Sequence, residues 1–165
     1  MKRALVTGGS GAIGAAICRR LAATGVRVVV HANRNLAEAE RVVHTIRAAA
    51  GAADAIAFDV TDAEQASTVL ERLLAEGPFQ IVVNNAGIHA DAPMAGMSGE
   101  DWRSVVDVSL HGFFNVTRPL LLPMMGTRWG RIVSVSSVAA LRGNRGQTNY
   151  AAAKAGLHGA TRSLA

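Results

Sequence analysis

The chain is poor in several things, and each shortage excludes something. It holds one cysteine, Cys18, among 165 residues, so no internal disulfide can form and a reducing compartment suits it. Aromatic residues make up only 4% of the chain while half of it is apolar, which leaves a core of Ala, Val, Leu and Ile typical of an α/β protein. No uncharged apolar run reaches the ~18 residues of a membrane span. Met1-Lys2-Arg3 leads straight into a strand-like stretch instead of a signal peptide, so a soluble, cytoplasmic protein is expected. Acidic residues are missing from the C-terminal third: Asp107 is the last, and Arg118, Arg128, Arg131, Arg142, Arg145, Lys154 and Arg162 follow it. With a formal charge of +5, that asymmetry favours an anionic partner. Nucleic acid is the obvious candidate, yet no aromatic-basic interleaving or recognition-helix motif accompanies the charge. A phosphorylated cofactor or an acidic carrier protein fits better, and any one of these arginines is equally well read as part of a solvated basic face.

What is present is an alternation of strands and helices without repeats, low-complexity tracts or linkers, which implies a doubly wound parallel sheet in one domain. Arg3 to Thr7 reads as a short buried strand. Gly8-Gly9-Ser10-Gly11-Ala12-Ile13-Gly14 follows, then an amphipathic helix to about Thr24, closed by Gly25. Gly9, Gly11 and Gly14 satisfy G-x-G-x-x-G between strand and helix. There the backbone can approach a pyrophosphate and the helix N-terminus supplies amide donors.

Val26 to Val30 is the second strand. About 20 residues past the glycines a carboxylate would hold an adenosine ribose 2′-hydroxyl. The chain has His31-Ala32-Asn33-Arg34 instead, and Arg34, beside Asn33, can accept a 2′-phosphate, which favours NADP. A solvated loop arginine is the plainer alternative. Asn35 with Glu38 suggests a capping box for a helix to about Ala50, ended by Gly51. Ala55 to Phe58 is the third strand, followed by Asp59-Val60. Asp59 could accept from an adenine amino group or cap its own loop. Thr61 with Glu64 is the expected cap of the next helix.

Phe79 to Val83, apolar throughout, is the fourth strand. It ends in Asn84-Asn85-Ala86-Gly87, where two amides can stitch neighbouring strands and small residues leave room for a cofactor ring. Ser98 and Asp101 cap a long helical stretch through Trp102, Val106, Leu110, Phe113 and Val116, which Pro119 and Pro123 should kink or end. Gly130 to Val135 is the fifth strand, followed by Ser136-Ser137, a loop from Leu141 to Thr148, and an alanine-rich helix carrying Tyr150 and Lys154. Residues four apart share a helix face. A lysine one turn from a tyrosine favours the phenolate over its ordinary pKa of ~10 and makes a tuned general acid. Taken alone, Tyr-x-x-x-Lys is a common accident of helices.

Together, Val6-Thr7-Gly8 with Gly14, Asp59-Val60, Asn84-Asn85-Ala86-Gly87, Ser137 and the run Gly146 to Gly156 resemble the short-chain dehydrogenase/reductase family. Trp129-Gly130-Arg131-Ile132-Val133 is similar to its 3-oxoacyl-[acyl-carrier-protein] reductases, enzymes of fatty acid biosynthesis. The resemblance implies an NADPH-dependent reductase of a 3-oxoacyl thioester. Tyr150 would protonate the substrate oxygen. Lys154 would lower the Tyr150 pKa and hold the nicotinamide ribose, and Ser137 would orient the carbonyl. Gly8, Gly9, Ser10, Gly11 and Ile13 would cradle the phosphates, with Asn33, Arg34, Asp59, Val60, Asn85, Ala86 and Gly87 also on the cofactor. It implies no metal. It further implies a homo-oligomer, tetramer or dimer, with Arg128 and Arg131 facing the acidic carrier.

Three departures stand out. Ala12 replaces the family's middle glycine, a small change. Ser109, in Asp107-Val108-Ser109-Leu110, replaces an asparagine that holds a proton-relay water, and a serine should weaken that relay without abolishing it. Asn115, six residues on, is about 240° around a helix from it and cannot substitute. Finally, family members continue for roughly half this length again, so a domain lacking its last strands and substrate loop is expected, with an open edge on the fifth strand. Alternative readings are a reductase or dehydrogenase of another small ketone or alcohol, and a non-catalytic nucleotide-binding fragment. An extended sugar epimerase also carries Tyr-x-x-x-Lys, but the Asn-Asn-Ala-Gly run and the short motif spacing argue against it.

Overall fold

Alternation along the strands sets the architecture. The computed structural model describes residues 1–165 and contains one parallel five-stranded sheet: β1 (Arg3–Val6), β2 (Arg27–Ala32), β3 (Ala53–Ala57), β4 (Ile81–Asn84) and β5 (Arg131–Ser134), in the order β3-β2-β1-β4-β5. Ala4, Val6, Val28, Val30 and Val83 point to one face, where α1 (Ala12–Ala22) and α2 (Leu36–Ala48) bury Ala15, Cys18, Val42, Val43 and Ile46. Leu5, Val29 and Val82 point to the other. There α3 (Ala63–Leu74) and α5 (Gly112–Gly126) add Ala66, Leu70, Val116, Leu120 and Met124, with Phe58 and Phe79 filling the layer. Side chains alternate across a strand, so a sheet covered on both faces is apolar throughout. The doubly wound α/β fold expected from the pattern is the fold found.

Strand order reverses beside β1. The C-terminal ends of β1 and β4 therefore open a crevice, the usual ligand position in such sheets. The remaining helices, α4 (Gly99–Val106), α6 (Ala139–Arg142) and α7 (Thr148–Leu164), stand around the β4–β5 side, and α7 packs on α4 and α6.

Several boundaries differ from the sequence reading. β2 runs two residues past Val30, so His31 and Ala32 are strand residues. The α2 cap is half a capping box: Asn35 accepts from the Glu38 amide at 3.4 Å, while the Glu38 carboxylate turns to Arg41. The cap of α3 is Asp62, accepting from the Gln65 amide at 2.9 Å, and not Thr61. Thr61 is already engaged, its amide and hydroxyl both donating to Asp59 Oδ1. The capping box of Ser98 and Asp101 is complete. Pro119 and Pro123 do not end α5, which continues to Gly126. The buried anchors Val116, Thr117, Leu120 and Met124 hold the helix across the two missing amide donors. Ala139–Arg142, read partly as loop, forms the single turn α6. Between α4 and α5 the residues Asp107–His111 take a π-helical turn, with the Gly112 amide reaching back five residues to Asp107 O.

Candidate active site

The glycine loop closes so tightly that side chains are excluded at Gly9 and Gly14. Gly8 has φ +61, and a Cβ on Gly14 would stand 2.2 Å from Gly8 O, a collision with backbone that cannot be relieved. Ala12 is the first residue of α1, is exposed, and lines the cavity beside the loop. Gly9 is buried beneath the loop, where a Cβ would press on Val30 and Cys18.

Asn85 locks this loop to β4. Its side-chain amide donates to Thr7 O at 2.9 Å and Gly8 O at 3.1 Å, and the Thr7 hydroxyl accepts from the Asn85 and Ala86 amides. The stitch expected of the two asparagines therefore belongs to Asn85. Asn84 instead ties the sheet to α5, donating to Thr117 Oγ1 at 2.9 Å. The result is a cavity of about 460 Å³. Gly8, Ser10, Gly11, Ile13, Asn33, Asp59, Val60, Asn85, Ala86 and Gly87 line it, together with His31, Ile88 and Val108, which the sequence reading left unassigned. The fit to a dinucleotide rests on the loop itself: a tight turn at the start of α1, where Gly14 admits no side chain, is where backbone amides meet a pyrophosphate. Arg34 lies exposed at the bend after β2, outside that lining, and its guanidinium has no partner in the chain. Asp59 caps its own loop through Thr61 while still lining the cavity.

The second half of the site comes from α7. Asn149, fully buried, donates to Ala90 O and Asp101 O and so fixes the start of the helix against the β4 loop and α4. Lys154, 3% exposed, sends its ammonium to Val135 O at 2.9 Å. Burial pulls its pKa below the ordinary lysine value. Its Nζ lies 5.7 Å from the centre of the half-buried Tyr150 ring, and a Cβ on Gly87 would stand 3.3 Å from that same Nζ. Gly87 therefore joins the cavity to the Tyr150–Lys154 face. The Tyr150 phenol has no hydrogen-bond partner in the chain, and His89 packs against its ring at 4.2 Å between centroids. Ser137, just past β5, accepts from the Ala139 amide at 3.2 Å.

Ser109 sits in the π-helical turn, which packs against α7. It is 3% exposed, and its hydroxyl is buried without a partner in the protein. Asn115 is committed elsewhere, donating to Val60 O at 2.9 Å, in keeping with the expectation that it does not stand in for position 109. No cluster of three or more His, Cys, Asp or Glu side chains could hold a metal ion. No helix is long and apolar enough to cross a membrane.

His31 was the main omission, and period-2 alternation carried on to Ala32 was the signal for it: Val28, Val30 and Ala32 share one face, and His31 follows Val29 on the other. His89 and Val108 carried no comparable signal.

A family model described as short chain dehydrogenase matches residues 2–165. The chain is 42% identical to a 3-oxoacyl-[acyl-carrier-protein] reductase FabG of Aggregatibacter actinomycetemcomitans, over 98% of this chain and 67% of the relative. It is 42% identical to an acetoacetyl-CoA reductase of Cupriavidus necator, over 98% of this chain and 66% of the relative. It is 41% identical to the FabG of Escherichia coli K12, over 99% and 66%. The chain thus spans about two thirds of the length of these relatives. With the glycine loop, the Asn85 lock and the Tyr150–Lys154 face in one crevice, the chain belongs to the short-chain dehydrogenase family of oxidoreductases.

Proposed function

We propose that the protein is an NADPH-dependent reductase that converts a 3-oxoacyl thioester to its 3-hydroxyacyl product. The observation that carries this reading is the junction at Gly87, where the cavity under the glycine loop meets the Lys154 ammonium and the Tyr150 ring. The relatives' names support the substrate class, since 3-oxoacyl-carrier protein and acetoacetyl-CoA are both 3-oxoacyl thioesters.

A nicotinamide cofactor supplies the hydride that reduces the carbonyl carbon. Ser137, placed after β5, donates a hydrogen bond to the substrate carbonyl oxygen and orients it. Tyr150 gives its phenolic proton to that oxygen as the C=O double bond becomes C–O–H. The Lys154 ammonium, held by Val135 O, places positive charge beside the phenol and stabilises the phenolate left behind. Ser109, a buried hydroxyl with one donor and two acceptor lone pairs, holds a water through which Lys154 and Tyr150 recover the proton. Gly8, Ser10, Gly11 and Ile13 would hold the phosphates, with Gly9 supporting the loop from beneath, Arg34 and Asn33 the 2′-phosphate, Asp59 and Val60 the adenine, and Asn85, Ala86 and Gly87 the nicotinamide half. Arg128 and Arg131 meet an acidic carrier, and the working form is a homo-oligomer in the cytoplasm.

Following NADPH oxidation with acetoacetyl-CoA, a 3-oxoacyl-carrier protein and simple ketones tests this reading. Turnover of thioesters well above ketones is expected; turnover of ketones alone would assign the protein to another substrate class.

A further inference from the structure

We propose that His31 is a positioning residue for the dinucleotide pocket, tying the glycine loop to the segment after β3 that leads into Asp59, so that cofactor affinity depends on it. The proposal rests on the reading of that cavity as a nucleotide site. His31 lies at the end of β2, 1% exposed, and lines the cavity. Its Nδ1 accepts from the Gly8 amide at 3.1 Å, and its Nε2 faces Phe58 O at 2.8 Å.

A carbonyl oxygen can only accept, so Nε2 carries the proton and Nδ1 keeps its lone pair for Gly8. One tautomer satisfies both contacts, and no other does. Packing holds the ring there: its centroid is 4.3 Å from that of Phe58, tilted at 59°. Burial lowers the imidazole pKa from 6.5 to about 4, so the ring stays neutral and Nδ1 stays an acceptor at neutral pH.

The two partners are the ones that matter for a bound nucleotide. Gly8 opens the loop at φ +61, and Asn85 already holds its carbonyl at 3.1 Å. His31 holds the amide of the same residue, so Gly8 is fixed from both sides. Phe58 is the residue before Asp59, and Asp59 and Val60 also line the cavity. The imidazole is therefore a buried strut beside the pocket, from Gly8 to the residue that follows β3. If it is lost, the Gly8 amide and Phe58 O lose a buried partner, and the loop spends part of its time out of register. Apparent affinity falls in proportion to the fraction of competent loop.

Asparagine and glutamine each keep one end of the strut. Asn Oδ1 sits one bond beyond Cγ, as Nδ1 does, and can accept from Gly8. The Gln amide nitrogen reaches about as far as Nε2 and can donate to Phe58 O. Dissociation constants for NADPH on the 165-residue chain, by fluorescence titration, separate the roles, with thermal melts as the control for folding. His31→Leu is expected to weaken binding by about tenfold or more, the scale of one unmade buried hydrogen bond. His31→Asn should recover most of that loss and His31→Gln less. NADPH affinity unchanged in a folded His31→Leu, or a glutamine variant binding at least as well as the asparagine one, would overturn the proposal. Should His31→Leu fail to fold, the Asn–Gln order still decides, along with the imidazole 15N shifts of the unaltered protein: a proton on Nδ1 at pH 7 contradicts the strut. If the unaltered protein does not bind NADPH at all, the nucleotide reading has failed, and this proposal falls with it.

Discussion

In the proposed function, cofactor choice turns on Arg34. It stands in solvent after β2, with no carboxylate in the run His31-Ala32-Asn33-Arg34 and no partner in the chain, so its charge is available to a 2′-phosphate. Arg34→Asp replaces that attraction with repulsion and adds an acceptor for a 2′-hydroxyl. The ratio of NADP(H) to NAD(H) affinity should fall by at least about tenfold, or ~1.4 kcal/mol. Equal affinities in the unaltered protein would remove Arg34 from the account. His31 yields a prediction about acid. The unfolded chain takes up a proton near pH 6.5, whereas the buried ring resists until about pH 4. Its contribution to stability is therefore full above pH 6.5 and is lost progressively as pH falls toward 4, on the order of 3 kcal/mol in all. Urea unfolding at pH 7 and pH 4.5 should show a markedly larger acid loss for the unaltered protein than for His31→Leu. Parallel losses would mean the ring is not held neutral.

Among the elements, the π-helical turn Asp107–His111, which carries Ser109 of the proposed relay, was the least legible. Glycines, the Asn85-Ala86-Gly87 run and the Tyr150–Lys154 pair could be read because each is contiguous and each demands particular residue types. A π turn has no such signature, and the sequence showed only that Ser109 stands where an asparagine was expected. The cap of α3 was misread because two three-residue spacings overlap, and the side chain of Asp59 captures Thr61 before it can cap. The prolines of α5 misled because local propensity was outweighed by the buried residues around them. Ser109→Asn should speed proton resupply to Tyr150, and Ser109→Ala should slow it. The solvent isotope effect on turnover should shrink in the first variant and grow in the second. Three identical profiles would place the relay elsewhere.

At the scale of the whole molecule, β3 and β5 are the two edges of the sheet, and one face of β5 is not covered by a helix. Ile132 and Ser134 are half-buried, while Arg131 and Val133 are exposed, Val133 by 48%. The outer side of each edge strand carries backbone groups that no strand of the sheet pairs. Topology was legible because strand and helix patterns alternate strictly; the distances that make a site of the chain were not, since they depend on where β1, β4 and α7 meet.

The central claim is that Tyr150 transfers the proton, and it is tested most directly by Tyr150→Phe, measured for both NADPH binding and thioester reduction. The ring and its packing against His89 are kept, and only the phenolic oxygen is removed. Reduction is predicted to fall by roughly 10²–10⁴ while the NADPH dissociation constant stays within about twofold. Undiminished turnover in the phenylalanine variant would contradict the account.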